Sequence, residues 1–270
     1  MKRILTIQDI SCVGQCSTTV ALPLISACGV ECAILPPAML SNHTGGFTGW
    51  SFYDLTGELK KVEEQWVRQN IRFDAFYTGY VCESHIDPIL SIFETCANPG
   101  AIRFVDPAMA DNGILYKGFA ADFPSKMARL VKGADYVLPN LTEAALLVGC
   151  EPFKEKPETL IAKLHELGAK NVILTGVSFN DAELGSAISD GKSIVYDFNP
   201  RLTRMSHGTG DVFASVFAGA VMRGKTAAEA AALAADIVCS AIKATDDDHW
   251  YGVSFERTIP ELVERMKNDK

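Results

Sequence analysis

Short apolar runs rich in β-branched and aromatic residues alternate with stretches of helical periodicity along most of the chain, and this alternation restricts the fold more than any single residue does. "RILTI" (3–7) is followed by a helical stretch near 17–28 stopped by Gly29, then "CAIL" (32–35), a helix near 58–70, "AFYTG" (75–79) and a helix near 86–96. The pattern repeats with "IRFVDP" (102–107), a loop and a helix near 123–132, "YVLPN" (136–140) before "TEAALLVG", a helix near 157–167 and "NVILTG" (171–176), before the chain ends in helices. Strands that alternate with helices predict an α/β fold with a mainly parallel sheet and helices on both faces. One stretch breaks the rule. "GSAISDGKSIVYDF" (185–198) sets Asp190-Gly191 between two alternating runs, which predicts an added antiparallel hairpin. Its "GKS" is no phosphate loop, because Gly185 to Gly191 is one residue too long for that motif and the context is a hairpin. Thr226 and Glu229 form a T-x-x-E capping box, so 211–222 and 227–243 should be two packed helices.

The 270 residues suffice for one generous core, and the unbroken alternation leads us to expect a single domain over 1–270. A net charge of −8 without a basic cluster argues against nucleic acid or an anionic membrane as partner. The apolar run in "MKRILTIQDI" is too short for a signal core and no stretch reaches spanning length, so a cytoplasmic location is expected. The eight cysteines include no C-x-x-C pair and the five histidines have no ligand spacing. Buried free thiols are therefore expected in place of a zinc site or a disulfide framework.

Ligands of open α/β sheets bind beyond the carboxyl ends of the strands, so the polar residues that close each apolar run are the ones to weigh. Gln8, Asp9 and Ser11 follow the first run, "SNHTGG" (41–46) the second, Gly79-Tyr80 the third, Asp106 the fourth, Asn140 and Glu143 the fifth, and Thr175 the sixth. "SHGTGDVFASVFAGAV" (206–221) then leads a glycine-rich turn into an apolar helix. Free N–H groups at such a turn, aided by the helix dipole, suit a phosphate. The plainer alternative is that Thr209 or Asp211 caps the helix, just as Asn140-x-x-Glu143 could be no more than a cap. Carboxylates at Asp106 and Glu143 beside an anion site would repel phosphate unless a hydrated magnesium ion lies between them. The combination points to nucleotide-dependent phosphoryl transfer, with Asp211 as the base that accepts the proton of the attacking hydroxyl and the amides of Gly208, Thr209 and Gly210 holding the transferring phosphate. An aspartate at a helix N-terminus is expected to stay ionised near neutral pH.

"GTGD" (208–211), "DPAMADNG" (106–113) and "PNLTEAALLVG" (139–149) resemble the ribokinase superfamily of small-molecule kinases, and "SNHTGG" with "TGY" (78–80) resembles its pyridoxal kinases. The likeness runs through nearly the whole chain in the family's motif order. It implies a ribokinase-like fold and ATP-dependent phosphorylation of the 5′-hydroxymethyl group of pyridoxal, pyridoxine or pyridoxamine. It also implies Mg2+ with ATP, activation by a monovalent cation such as K+, and a homodimer. By the same likeness Asp211 matches the catalytic aspartate and Gly208 to Gly210 the anion hole. Asp106 and Glu143 match the magnesium-side acids, Asn140 and Thr175 the nucleotide side, and Asp111 lies in the stretch that covers the phosphates. Tyr80, His43 and Thr44 match vitamin-pocket positions. The first loop, "QDISCVGQCS", departs from the Q-S-x-V-x-x-G-x-x-G-N form of pyridoxal kinases, so Ser11 and Asp9 compete for the contact to the pyridine ring. The alternative within the superfamily is a hydroxymethylpyrimidine kinase, although many of those carry cysteine where this chain has Asp211. A sugar kinase fits less well, since the lengths show no obvious inserted lid domain after the first strand. A carrier of pyridoxal phosphate or nucleotide would have no use for Asp211 as a base.

Overall fold

The computed structural model describes residues 1–204 and 206–267. In chain order the strands are β1 (Arg3–Ile7), β2 (Ile10–Ser11), β3 (Glu31–Ile34), β4 (Ala38–Leu40), β5 (Phe52–Asp54), β6 (Phe73–Thr78), β7 (Ala97–Val105), β8 (Ala110–Asp111), β9 (Ile114–Leu115), β10 (Tyr136–Val137), β11 (Asn171–Val177), β12 (Glu183–Ser189) and β13 (Ile194–Pro200). The helices are α1 (Thr18–Ala27), α2 (Thr56–Arg68), α3 (Glu83–Thr95), α4 (Phe123–Val131), α5 (Leu141–Leu147), α6 (Pro157–Leu167), α7 (Thr209–Met222), α8 (Ala227–Ala244) and α9 (Ile259–Lys267). The main sheet has the order β13-β12-β11-β10-β7-β6-β1-β3. It is parallel from β3 through β11 and antiparallel only across β11, β12 and β13. The expected mainly parallel sheet with an added hairpin is thus what the chain forms.

Both faces of the sheet are covered, which is why its strands read as near-continuous apolar runs. Ile4, Tyr77, Phe104 and Ile173 pack on one face against α1, α7 and α8, while Leu5, Phe76, Val105 and Leu174 pack on the other against the α2–α6 set. Every residue of α7 from Val212 to Met222 is buried, as expected of a helix apolar all round. The Phe217 ring sits edge-on to Tyr136 at 5.4 Å and to Phe104 at 6.2 Å. Thr226 and Glu229 form the expected capping box of α8.

Three features differ from the sequence reading. The β12–β13 turn uses residues 190–193 in place of a two-residue loop, because Asp190 accepts hydrogen bonds from the N–H groups of Lys192 and Ser193. Residues 110–115, read as loop, form a small hairpin whose turn residues Asn112 and Gly113 both have positive φ, as a type I′ turn requires. A separate three-stranded sheet, β2-β4-β5, forms from residues to which the sequence reading assigned no strands. Its strands are only two or three residues long, too short for any periodicity to announce them. All eight cysteines are free, but only Cys28 and Cys96 are buried; Cys12 is exposed and the rest are half-buried.

Candidate active site

The polar residues that close the strands meet along the carboxyl edge of the main sheet. The turn before α7 is not capped by a side chain: Gly208 occupies the N-cap position with φ 82°, and neither Thr209 nor Asp211 makes a capping bond. Gly208 is required there, since a Cβ would stand 1.7 Å from the Gln15 carbonyl oxygen. Among the described residues no side chain caps the first N–H groups of α7, which suits them to an anion. Space in front of Gly210 is open.

Asp211, half-buried in the first turn of α7, accepts hydrogen bonds from the Ser17 N–H and the Cys16 thiol. Burial pushes its carboxyl up to about 7, with the nearby Asp9 charge adding to the rise and the Ser17 and Cys16 bonds opposing it. This corrects the expectation that the helix terminus keeps Asp211 ionised near neutral pH: removal from water and an acidic neighbour outweigh the dipole. Ser17 holds φ 57° and ψ −134°, a conformation rare for a residue with a side chain. Neither Cys16 nor Ser17 was singled out from the sequence, because the contact joins the loop before α1 to a helix almost two hundred residues later.

Asp106 and Glu143 lie nearby, both buried. Burial, then the charges of Glu143 and Asp211, push the Asp106 carboxyl well above the ordinary range. Burial likewise raises Glu143 to about 8 against the N–H groups of Asn140, Met109 and Ala110, which favour its ionised form. Asn140 and Glu143 do form a capping box, with the Asn140 side chain accepting from the Glu143 N–H and Glu143 accepting from the Asn140 N–H, each at 2.9 Å. The box also reaches outward. Glu143 accepts from the Met109 N–H at 3.2 Å and the Asn140 amide donates to the Ala110 carbonyl at 2.8 Å, so α5 anchors the hairpin that carries exposed Asp111. Thr175 bridges to Asn140 at the end of β11 and donates through its hydroxyl to the Pro139 carbonyl.

The Asp106 carboxylate accepts no hydrogen bond among the described residues, and the charges acting on it are all acidic. A crowded pair of buried carboxylates with unused lone pairs fits a hydrated Mg2+, which prefers hard oxygen ligands and retains waters. Among the described residues no group of three side chains is placed to chelate an ion directly. Asp106 and Glu143 are the residues that would hold it.

Across from α7, Asp9 is buried and the Ser11 hydroxyl donates to it at 2.8 Å. The two rivals for the ring contact are thus a coupled pair, and burial raises the Asp9 carboxyl above its ordinary value. Tyr80 is half-buried, 5.3 Å from the Phe119 ring, and Phe119 stacks on Phe123 at 4.1 Å. Thr44 lies half-buried on the 41–50 loop. His43 is 5% exposed and both ring nitrogens are engaged, Nε2 by the Tyr251 carbonyl at 2.6 Å and Nδ1 by the Gly45 N–H at 3.1 Å.

Residues 25–252 match the phosphomethylpyrimidine kinase family. The pyridoxal kinase PdxY of Corynebacterium diphtheriae is 30% identical over 268 residues, covering 90% of this chain and 89% of the relative. The crystal structure of pyridoxal kinase from Lactobacillus plantarum superposes with a TM-score of 0.91 at 30% identity, over 100% of this chain and 99% of that one. Pyridoxal kinase from Staphylococcus aureus, solved in complex with ADP, shares the fold at 21% identity and a TM-score of 0.81, over 94% and 93% of the two chains. The chain belongs to the phosphomethylpyrimidine kinase family, and within the ribokinase-like superfamily it is a kinase of the pyridoxal kinase group.

Proposed function

We propose that residues 1–270 form one kinase domain that transfers the γ-phosphoryl group of ATP to the 5′-hydroxymethyl group of a B6 vitamer. The carrying observation is the placement of Asp211 in the first turn of a helix buried from Val212 to Met222, beside an uncapped glycine turn at the carboxyl edge of the sheet. The substrate oxygen attacks phosphorus as the bond to ADP breaks, and its proton passes to Asp211. The amides of Gly208, Thr209 and Gly210 face the charge of the moving group. Magnesium, when bound, supplies positive charge to the phosphate oxygens. Asp106 and Glu143 would hold it; Asn140, Thr175 and Asp111 belong to the nucleotide side; and Asp9, Ser11, Thr44 and Tyr80, with the His43 loop, belong to the vitamin side. Activation by K+, a cytoplasmic location and a homodimer are part of the same reading. Support for the dimer comes from exposed Met39, Phe52 and Tyr53 on the small sheet. Among the described residues no helix is long and apolar enough to cross a membrane.

The second reading, a hydroxymethylpyrimidine kinase, is favoured by the name of the matched family. Phosphorylation assays with Mg·ATP against pyridoxal, pyridoxine, pyridoxamine and hydroxymethylpyrimidine side by side decide between them. The highest kcat/KM is expected for a B6 vitamer, and a preference for the pyrimidine overturns that assignment. Light scattering at micromolar concentration should give twice the chain mass; a monomer removes the dimer.

A further inference from the structure

Four loops far apart in sequence, 12–17, 41–50, 206–208 and 249–253, close on one another around the His43 side chain. The His43 backbone N–H donates to the Val13 carbonyl at 3.1 Å. Its ring lies so close over Gly14 that a Cβ there would stand 1.9 Å from the ring. The same ring meets Phe47 edge-on at 5.0 Å and lies 5.2 Å from the ring of His207, the residue before the anion turn. His207 in turn covers Gly45, where a Cβ would come within 2.7 Å of it, and its carbonyl accepts from the Val253 N–H at 3.2 Å. Phe47 completes the circuit against Trp250 at 4.8 Å.

The two nitrogens of His43 have opposite partners. The Tyr251 carbonyl can only accept, so Nε2 must carry the proton; the Gly45 N–H can only donate, so Nδ1 must be bare. A doubly protonated ring cannot satisfy both bonds. Burial and the His207 ring oppose its charging, while the Tyr251 carbonyl favours it, and the balance lies below the ordinary histidine value.

We propose that His43 is a positioning residue: a neutral Nε2–H clasp that fastens the vitamin-side loop 41–50, and with it Thr44, to the anion turn and to the 249–253 segment, without itself bonding substrate. This rests on the function proposed above for the kinetic test, but not for the structural one. Long-range 1H–15N spectra of the whole ligand-free protein should show His43 as the neutral Nε2–H tautomer at pH 6.5 and above. A neutral Nδ1–H tautomer, or an imidazolium above pH 6.5, overturns the clasp whatever the substrate. In the kinetic arm, His43→Ala should raise the KM for pyridoxal about tenfold while that for ATP stays within twofold, the pattern of lost binding to one substrate. His43→Gln, whose amide can still donate to the Tyr251 carbonyl, should recover part of the loss. Chymotryptic cleavage after Phe47 or Trp50 should quicken in His43→Ala and slow again in His43→Gln. An unchanged pyridoxal KM, or equal rises for both substrates, overturns the proposal. A parent enzyme inactive on every B6 vitamer defeats the functional reading alone, because the tautomer and the cleavage pattern still test the clasp.

Discussion

The two sides of the site are built in opposite ways. Asp211 and the glycine turn stand on a rigid support, the helix α7, buried from Val212 to Met222, and the loop before α1 closes on them. The vitamin side is assembled from short strands and loops whose contacts, such as His43 with the Tyr251 carbonyl, span two hundred residues of chain. Under the proposed function the first side sets turnover and the second selects the substrate. Damage to the first should therefore reduce turnover, and damage to the second should weaken binding of one substrate.

The largest effect expected is at the base. Asp211→Asn should lower kcat by about two to four orders of magnitude, the range of a lost general base, with ATP binding retained in equilibrium titrations. Near-normal turnover would remove Asp211 from the mechanism. Its raised carboxyl also makes a pH prediction. An acid held at about 7 in the folded state and near 3.8 when unfolded binds its proton more tightly when folded, so its contribution to stability is lost as pH rises from about 4 to about 7. Asp211→Asn should therefore be more stable than the parent at pH 8, by up to about 4 kcal/mol, and close to it near pH 4. As the base must be ionised to act, kcat/KM for the free enzyme should rise with pH through about 7. A flat profile between pH 6 and 8, or a less stable Asn variant at pH 8, would break the link between burial and catalysis.

On the same rigid side, Phe217→Ala should cost about 3–5 kcal/mol of stability, as expected for a large core side chain, while the KM for each substrate stays within a few-fold below the melting transition. Denaturant midpoints and kinetics on one preparation test both halves. Glu143→Gln and Asp106→Asn should move the magnesium activation curve about tenfold or more to higher concentration, in the range found for groups that orient a metal. Curves that overlay the parent's exclude the two carboxylates as its holders.

Smaller effects are expected across the site. Tyr80→Ala and Thr44→Ala should raise the KM for pyridoxal about three- to tenfold, with that for ATP within a few-fold. Equal losses for both substrates would erase the proposed division between a catalytic and a selective side.

Much of the carboxyl edge of the sheet was legible because its signals are local. The capping box of Asn140 and Glu143, the glycine turn at 208–210 and the capping box of Thr226 and Glu229 each lie within four residues of sequence. The Asn112-Gly113 hairpin carried a readable turn signal that the short flanking runs obscured. The contact of Ser17 with Asp211 had no local signal at all.

By itself the sequence determined the parallel sheet, the added hairpin and the residues at each strand end, because hydrophobic periodicity and turn chemistry act over a few neighbouring residues. Only the tertiary structure decided the surroundings that raise the Asp211 carboxyl and the opposite partners of the two His43 nitrogens. A carboxyl's proton affinity depends on how much water and which charges the fold leaves around it, and a ring's tautomer depends on which backbone groups distant loops bring to its two nitrogens.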